Sequence, residues 1–182
     1  RRTGWSVANG QIDIAIIGGQ LPLELNESLQ VIPFATDELA LVLPPNHQLT
    51  KSKELTKEDL YSLGFITLDT QSTTRKVVDQ LLTSSGLDVQ RLNIEMELNS
   101  LEAIKNAVQA GLGAAFLPVV SIERELLGGS IHRPIIADLE VKRELKVITN
   151  PGRYSSRAAE AFTKDILPLF ASSVSPLFIS KA

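Results

Sequence analysis

A strand, a hydroxyl-rich loop and two successive helix starts, all within residues 64–118, constrain this chain more than any other feature. Gly64-Phe65-Ile66-Thr67-Leu68-Asp69 has the short apolar run of a buried strand. It passes into the polar loop Thr70-Gln71-Ser72-Thr73-Thr74-Arg75, where a helix begins. Val77, Val78, Leu81 and Leu82 give that helix its apolar stripe, and Gly86 stops it. Asn99-Ser100-Leu101-Glu102-Ala103-Ile104 opens a second helix, with Leu101, Ile104 and Val108 on one face. Asn99 with Glu102 at N3 can cap it. Gly113 to Leu117 then reads as a buried strand. A strand that ends in a hydroxyl-rich loop at a helix N-terminus presents free N–H groups at its carboxyl end. Open α/β sheets bind ligands there, and the pocket suits a small anion. This favours small-molecule sensing over catalysis.

The rest of the chain fits the same class. Residues 4–9 read as a helix end, with Asn9-Gly10 as its stop. Ile12 to Ile17 is apolar enough to be buried on both faces, as in a parallel sheet, and Gly18-Gly19 ends it. Leu29 to Leu43 is a long β-like region, interrupted at Pro33 and stopped by Pro44-Pro45. Thr56-Lys57-Glu58-Asp59 is close to a capping box for a short helix to Tyr61. Ile94, Met96 and Leu98 alternate with polar residues, the pattern of a half-exposed strand. Pro118 suits the first turn of a short helix ended by Gly128-Gly129. Ile131 to Ile136 and Leu145 to Thr149 are expected strands. Asn150-Pro151-Gly152 signals a turn or hinge. Ser155 caps a final helix with Ala159, Phe162, Ile166 and Phe170 on one face, and residues 172–182 form a loose tail. Strands alternating with helices give an α/β chain with mostly parallel sheets.

Composition narrows the function. The 182 residues suffice for one large domain or two small ones, and 43% hydrophobic content supplies a core. The net charge of −3 gives no basic footprint for nucleic acid. No apolar run is long enough to span a bilayer, and the residues after Arg1-Arg2 lack a signal-peptide core. Cysteine is absent, so neither disulfides nor thiolate chemistry are available. The two histidines, His47 and His132, belong to no H-E-x-x-H, and no G-x-S-x-G occurs. No carboxylates show metal-ligand spacing, so no metal or other cofactor is expected. Glu24, Glu27, Asp37 and Glu38 read as solvated. Gly111-Leu112-Gly113 precedes a strand instead of following one, which makes it a poor dinucleotide fingerprint.

The phrases NGQIDIAIIGG, PFATDELALVLPPNHQLT, FITLDTQSTTRK, LNSLEAIKNAVQAGLGAAFLP and SSRAAEAFTKDILPLF occur in order over residues 5–170. Together they resemble the effector-binding domain of LysR-type transcriptional regulators. The run S-x-E-x-x-K-x-x-V-x-x-G-x-G-x-A-x-L-P, from Ser100 to Pro118, is its most specific signal. The wording is most similar to the cyanobacterial and plastid branch that regulates the RuBisCO operon and other carbon-fixation genes. The resemblance implies a type II periplasmic-binding-protein-like fold, with two Rossmann-like lobes joined by two crossovers and an effector in the interlobe cleft. On this chain one lobe would be 1–63 plus 151–171, lacking its N-terminal elements, and the other 64–150. The family's helix-turn-helix and linker helix are not in this chain.

Each candidate site residue also has a plainer reading. Ser72, Thr73, Thr74 and Arg75 could grip an anion, or be an N-cap with a surface arginine. Asn99 and Ser100 could cap a helix or touch a ligand. Gly18 and Gly19 fit a topological switch point or a β-turn. Phe116 and Leu117 read as core or as ligand wall. Arg1, Arg2 and Thr3 could border the cleft, and Arg153 could be a hinge-side charge. The resemblance tips Ser72 to Arg75, Asn99, Ser100, Gly18, Phe116, Arg2 and Thr3 towards effector binding. It implies no enzyme activity and a small anionic metabolite of the 2-oxo acid or sugar phosphate class. Candidates are 2-oxoglutarate, ribulose bisphosphate and 2-phosphoglycolate. It also implies a homodimer or homotetramer, DNA contact only through a domain outside this chain, no membrane, and a cytoplasmic or plastid-stromal location. A transporter's solute-binding protein would share fold and pocket but need a secretion signal. A dehydratase or synthase would need acid–base groups converging on the cleft.

Overall fold

The computed structural model describes residues 2–171; for Thr73, Phe170 and Ala171 it describes the backbone alone. Arg1 and the expected loose tail at 172–182 lie outside the described residues. In order, the elements are α1 (Arg2–Ala8), β1 (Ile14–Ile17), β2 (Gln30–Val42), α2 (Lys57–Leu60), β3 (Gly64–Leu68), α3 (Thr73–Ser84), β4 (Asn93–Leu98), α4 (Leu101–Gln109), β5 (Ala115–Pro118), α5 (Glu123–Leu127), β6 (Val141–Thr149), α6 (Arg157–Ala161) and α7 (Leu167–Ala171). A π-helical stretch, Phe162–Ile166, joins α6 to α7.

The described residues cluster into two compact units, 2–37 with 143–171 and 38–142. The chain crosses between them inside β2 and inside β6. These passages differ from the lobe boundaries near 63 and 150 that the sequence suggests, because the long strands carry the chain across without a turn.

In the second unit, β3 and β4 run parallel, with Leu68 opposite Leu98. The Ile66 amide donates to the Ala114 carbonyl and the Ala114 amide to the Gly64 carbonyl, both at 2.8 Å, which adds a parallel bridge before β5. A Cβ at Gly113 would lie 2.7 Å from the Gly64 carbonyl oxygen, so only glycine fits this approach. Phe65 and Ile66 point to opposite faces of β3. Phe65 joins a core with Leu82 of α3, packed by Val78 and Leu81. Ile66 joins one with Ile104 and Val108 of α4. The two helices therefore cover opposite faces of the pair.

The pairings of β2 with β5 and of β1 with β6 are antiparallel, so the expected mostly parallel sheets hold only around β3. Pro33 does not interrupt β2; its β5 partner engages only Leu39 to Val42, and the missing proline N–H falls outside that ladder. Ile131 to Ile136 is not a strand. Pro134 supplies no N–H, and only the bridges Leu43–His132 and Leu55–Ile136 form. The strand expected from Leu145 starts earlier, at Val141.

In the first unit, β1 stands at the end of the strand order β1-β6-β2-β5. Its expected burial on both faces does not hold, and Ile16 is 45% exposed. Val7, Leu25, Leu29 and Ile148 form this unit's core. Ser156, one residue later than expected, caps α6 by accepting from the Ala159 amide, and its hydroxyl donates to Asp13 at 2.6 Å. The π-helical stretch adds a residue per turn. That rotates the buried stripe: Ala159 is buried, Ile166 is not, and Leu167 takes its place.

Candidate functional site

Two helices open at one end of the β3–β4 pair. The Asp69 amide donates to the Leu98 carbonyl at 3.1 Å, so the loops that leave β3 and β4 start side by side. Each loop leads into a helix capped by a serine. Ser72 Oγ accepts from the Arg75 amide at 3.4 Å, and Ser100 Oγ from the Ala103 amide at 3.2 Å. The first-turn N–H groups of α3 and α4 thus face the carboxyl ends of adjacent parallel strands, where helix dipoles favour negative charge.

The cap of α4 is Ser100, not Asn99, and N3 is Ala103. Glu102 lies in the first turn and pairs with Lys105 at 2.9 Å. Asn99, Ser100 and Thr74 are exposed. Asp69 Oδ1 accepts from the Gln71 amide at 2.9 Å and from the Ser72 amide at 3.1 Å. A carboxylate of the chain itself thus already occupies part of the 69–72 loop, and any bound anion would have to use the N–H groups beyond it.

Arg75 does not project into the loop. Its Nε lies 2.8 Å from both Asp79 carboxylate oxygens. Its Nη1 donates to Thr67 Oγ1 and, at 3.2 Å, to the Leu68 carbonyl, and lies 4.0 Å from Glu97. The side chain is 14% exposed. An aspartate four residues on is a standard helical ion-pair spacing, and Asp79 was therefore a readable signal for this arrangement.

The remaining candidates are elsewhere. Phe116 stacks on Phe65, with centroids 5.8 Å apart and planes within 2°, and Leu117 is buried, so both are core. Gly18, Arg2 and Thr3 belong to the first unit; Arg2 and Thr3 are exposed on α1. Arg153 lies over Gly10, where an added Cβ would be 2.9 Å from its Nη1. Asp37 corrects its expected solvation. It is 4% exposed, and Arg143 Nε and Nη2 donate to its Oδ2 at 2.8 and 2.5 Å. Arg143 lies 106 residues away, so no local spacing shows the pair. Glu38 is half-buried against Arg133. No described helix is long and apolar enough to cross a membrane.

Comparisons with known proteins identify the family and the fold. The family described as LysR substrate binding domain matches residues 4–169. The chain is 61% identical over 171 residues to a probable RuBisCO transcriptional regulator of Trichormus variabilis, covering 94% of this chain and 51% of that protein. Identity to the probable RuBisCO transcriptional regulator of Porphyra purpurea is 56% over 170 residues, covering 93% and 54%. The chain thus spans about half the length of the curated relatives it matches. Among solved structures, the regulatory domain of Synechocystis PCC6803 CcmR in complex with 2-PG superposes with a TM-score of 0.75 at 23% identity, covering 92% of this chain and 78% of that one. The effector binding domain of QuiR in complex with shikimate gives a TM-score of 0.71 at 20% identity, covering 94% and 78%.

Proposed function

Because this chain belongs to the LysR substrate binding domain family, we propose that it is the effector-sensing part of a transcriptional regulator. It binds a small anionic metabolite of the 2-oxo acid or sugar phosphate class and passes the signal to a DNA-binding domain outside this chain. The observation that carries the ligand class is the paired opening of α3 and α4, with caps Ser72 and Ser100, at the carboxyl ends of β3 and β4. The solved neighbours share the fold alone at their identities, so the ligand class rests on these loops. Ser72, Thr74, Asn99 and Ser100 contact the anion through hydroxyl, amide and backbone N–H groups, Thr73 through its backbone N–H, and Arg75 braces the loop from behind.

The protein acts as a homodimer or homotetramer in the cytoplasm, or in the stroma of an algal plastid. It carries out no chemistry on its ligand. The relatives' names as regulators support this reading over a transporter's solute-binding protein. The test is a thermal-shift screen with 2-oxoglutarate, 2-phosphoglycolate and ribulose 1,5-bisphosphate, followed by calorimetry. A saturable rise in melting temperature with one of them, weakened by Thr74→Val, is the expected result. No shift with any of the three, or turnover of the ligand, would overturn the reading.

A further inference from the structure

The amino end of the β3–β4 pair, opposite to the openings of α3 and α4, carries a cavity of its own. Its volume is about 230 Å³, and every residue that lines it belongs to the second unit. Sites for drug-sized ligands run to roughly 300–1,000 Å³, so an occupant here is small. Leu49, Leu63 and Leu112 supply apolar wall, and Leu112 is 52% exposed. Among the described residues that line the cavity, Glu95 is the only charged one, and none is lysine or arginine. His47 adds no positive charge. Its Nδ1 accepts from the Leu49 amide at 3.2 Å, and an imidazole nitrogen that accepts carries no proton.

Two features of the backbone place Glu95 in this wall. Phe65 pairs with Ile94 and Ile66 with Met96, which leaves Glu95 as the extra residue of a β-bulge. Bulges are rare between parallel strands, and they re-aim a side chain. Gly64 leaves the space into which the carboxylate folds, since a Cβ there would overlap the Glu95 carboxyl group. Asn93 Nδ2 donates to Glu95 Oε1 at 3.2 Å, and Oε2 has no partner among the described residues. A carboxylate with a free oxygen, beside apolar wall and with no cation of the protein lining the same cavity, suits a positive head on a short apolar chain. We propose that this cavity is a second binding site, selective for a small alkylammonium. The ammonium donates to Glu95, and the alkyl chain lies along Leu49, Leu63 and Leu112. The site is separate from the anion openings. A strand rises roughly 3.3 Å per residue, so Gly64 and Leu68 stand about 13 Å apart.

Titration of the 182-residue chain with n-butylammonium, n-butanol and butyrate at constant ionic strength, followed by amide NMR, tests it. Butylammonium should shift the Gly111, Leu112 and Gly113 amide signals saturably, and the alcohol and the carboxylate should bind at least tenfold more weakly. Glu95→Gln keeps the shape and removes the charge. It should weaken butylammonium roughly 10- to 100-fold, the range for a hydrogen bond to a charged group. Gly64→Ala displaces the carboxylate without touching its chemistry. Gly64 is outside the left-handed region, and its Cβ meets only the flexible end of Glu95. This variant should melt close to wild type and lose affinity to a similar extent. Equal shifts with butanol would overturn the proposal and show a groove that takes any short alkyl chain. Full butylammonium affinity in Glu95→Gln and Gly64→Ala, shifts at Ser72 and Ser100 in place of 111–113, or no saturable shift at all would each overturn it too.

Discussion

Arg75 and Asp79 lie one turn apart in α3, and the arginine Nε is 2.8 Å from both carboxylate oxygens. The same guanidinium reaches the Leu68 carbonyl at the end of β3. The pair therefore ties the first turn of a helix to the strand that precedes it, and it holds the 69–72 loop from behind. At the candidate site the cation is part of the scaffold, and the contacts left for a ligand are hydroxyls and amides.

Arg75→Ala should accordingly destabilise the ligand-free protein, by about 1–3 kcal/mol, because it removes hydrogen bonds to a charged group and leaves Asp79 unpaired. Arg75→Lys should recover only part of this, since an ammonium cannot make the planar fork. Urea unfolding of the three proteins measures it. An unchanged midpoint in Arg75→Ala, combined with a large loss of ligand affinity, would mean that the arginine turns towards the ligand instead.

The two serine caps can be separated from their neighbours. Ser100→Ala should cost about 1 kcal/mol, the usual cost of losing an N-cap, whereas Asn99→Ala should stay within about 0.5 kcal/mol. Thermal melting decides between them. The reverse order would place the cap of α4 at Asn99.

The sequence pattern was most legible where a signal was local. Thr56 and Asp59 form the capping box that their spacing suggests, and Ile94, Met96 and Leu98 alternate in burial as read. The strand–loop–helix order around Ser72 is likewise carried by adjacent residues. What could not be read was set by distant partners or by small changes of period. Asp37 looks like one more solvated acid until Arg143 is brought to it by β6. Ile166 looks like a core residue until the π-helical stretch turns Leu167 inward. Arg75 and Asp79 sit at the i, i+4 spacing of a helical ion pair, so the pairing of this arginine is carried by local residues.

Gly113 should resist even the smallest side chain. A Cβ there would meet the Gly64 carbonyl oxygen at 2.7 Å and Ile66 Cγ1 at 3.0 Å, and the backbone oxygen cannot move without breaking the Ala114–Gly64 hydrogen bond. Gly113→Ala should therefore destabilise by roughly 1–3 kcal/mol, as overpacking typically does. Gly111→Ala meets nothing within 4 Å, but its φ of +83° is in the left-handed region, so its cost should be about 1 kcal/mol and purely conformational. Comparing the two by chemical denaturation separates steric from backbone effects. Equal and small costs would show that β3 and the 113–114 segment are less closely apposed than described.

Lys105 links α4 to α5: its Nζ is 2.9 Å from Glu102 and 2.8 Å from Glu125. The hydrogen bond from Lys105 holds the Glu125 carboxyl below its ordinary value of 4.5, helped by a backbone N–H. Hydrogen bonds to Glu125 and then Glu102 hold the Lys105 ammonium above its ordinary 10.5. A carboxyl lowered in the folded state contributes stability that is fully present above its unfolded value and is lost as pH falls through the folded one. An ammonium raised in the folded state contributes stability that is fully present below its unfolded value and is lost as pH rises through the folded one. The linkage is therefore complete between 4.5 and 10.5 and fades on both sides. Lys105→Met should lower stability by about 1 kcal/mol or less at neutral pH, the range for ion pairs that keep contact with water. The gap between wild type and variant should narrow below pH 4.5, where Glu125 begins to protonate. Melting curves for both proteins at closely spaced pH values measure that gap. A gap that is constant through the acid range would show that Lys105 acts by the packing of its methylene chain and not by its charge.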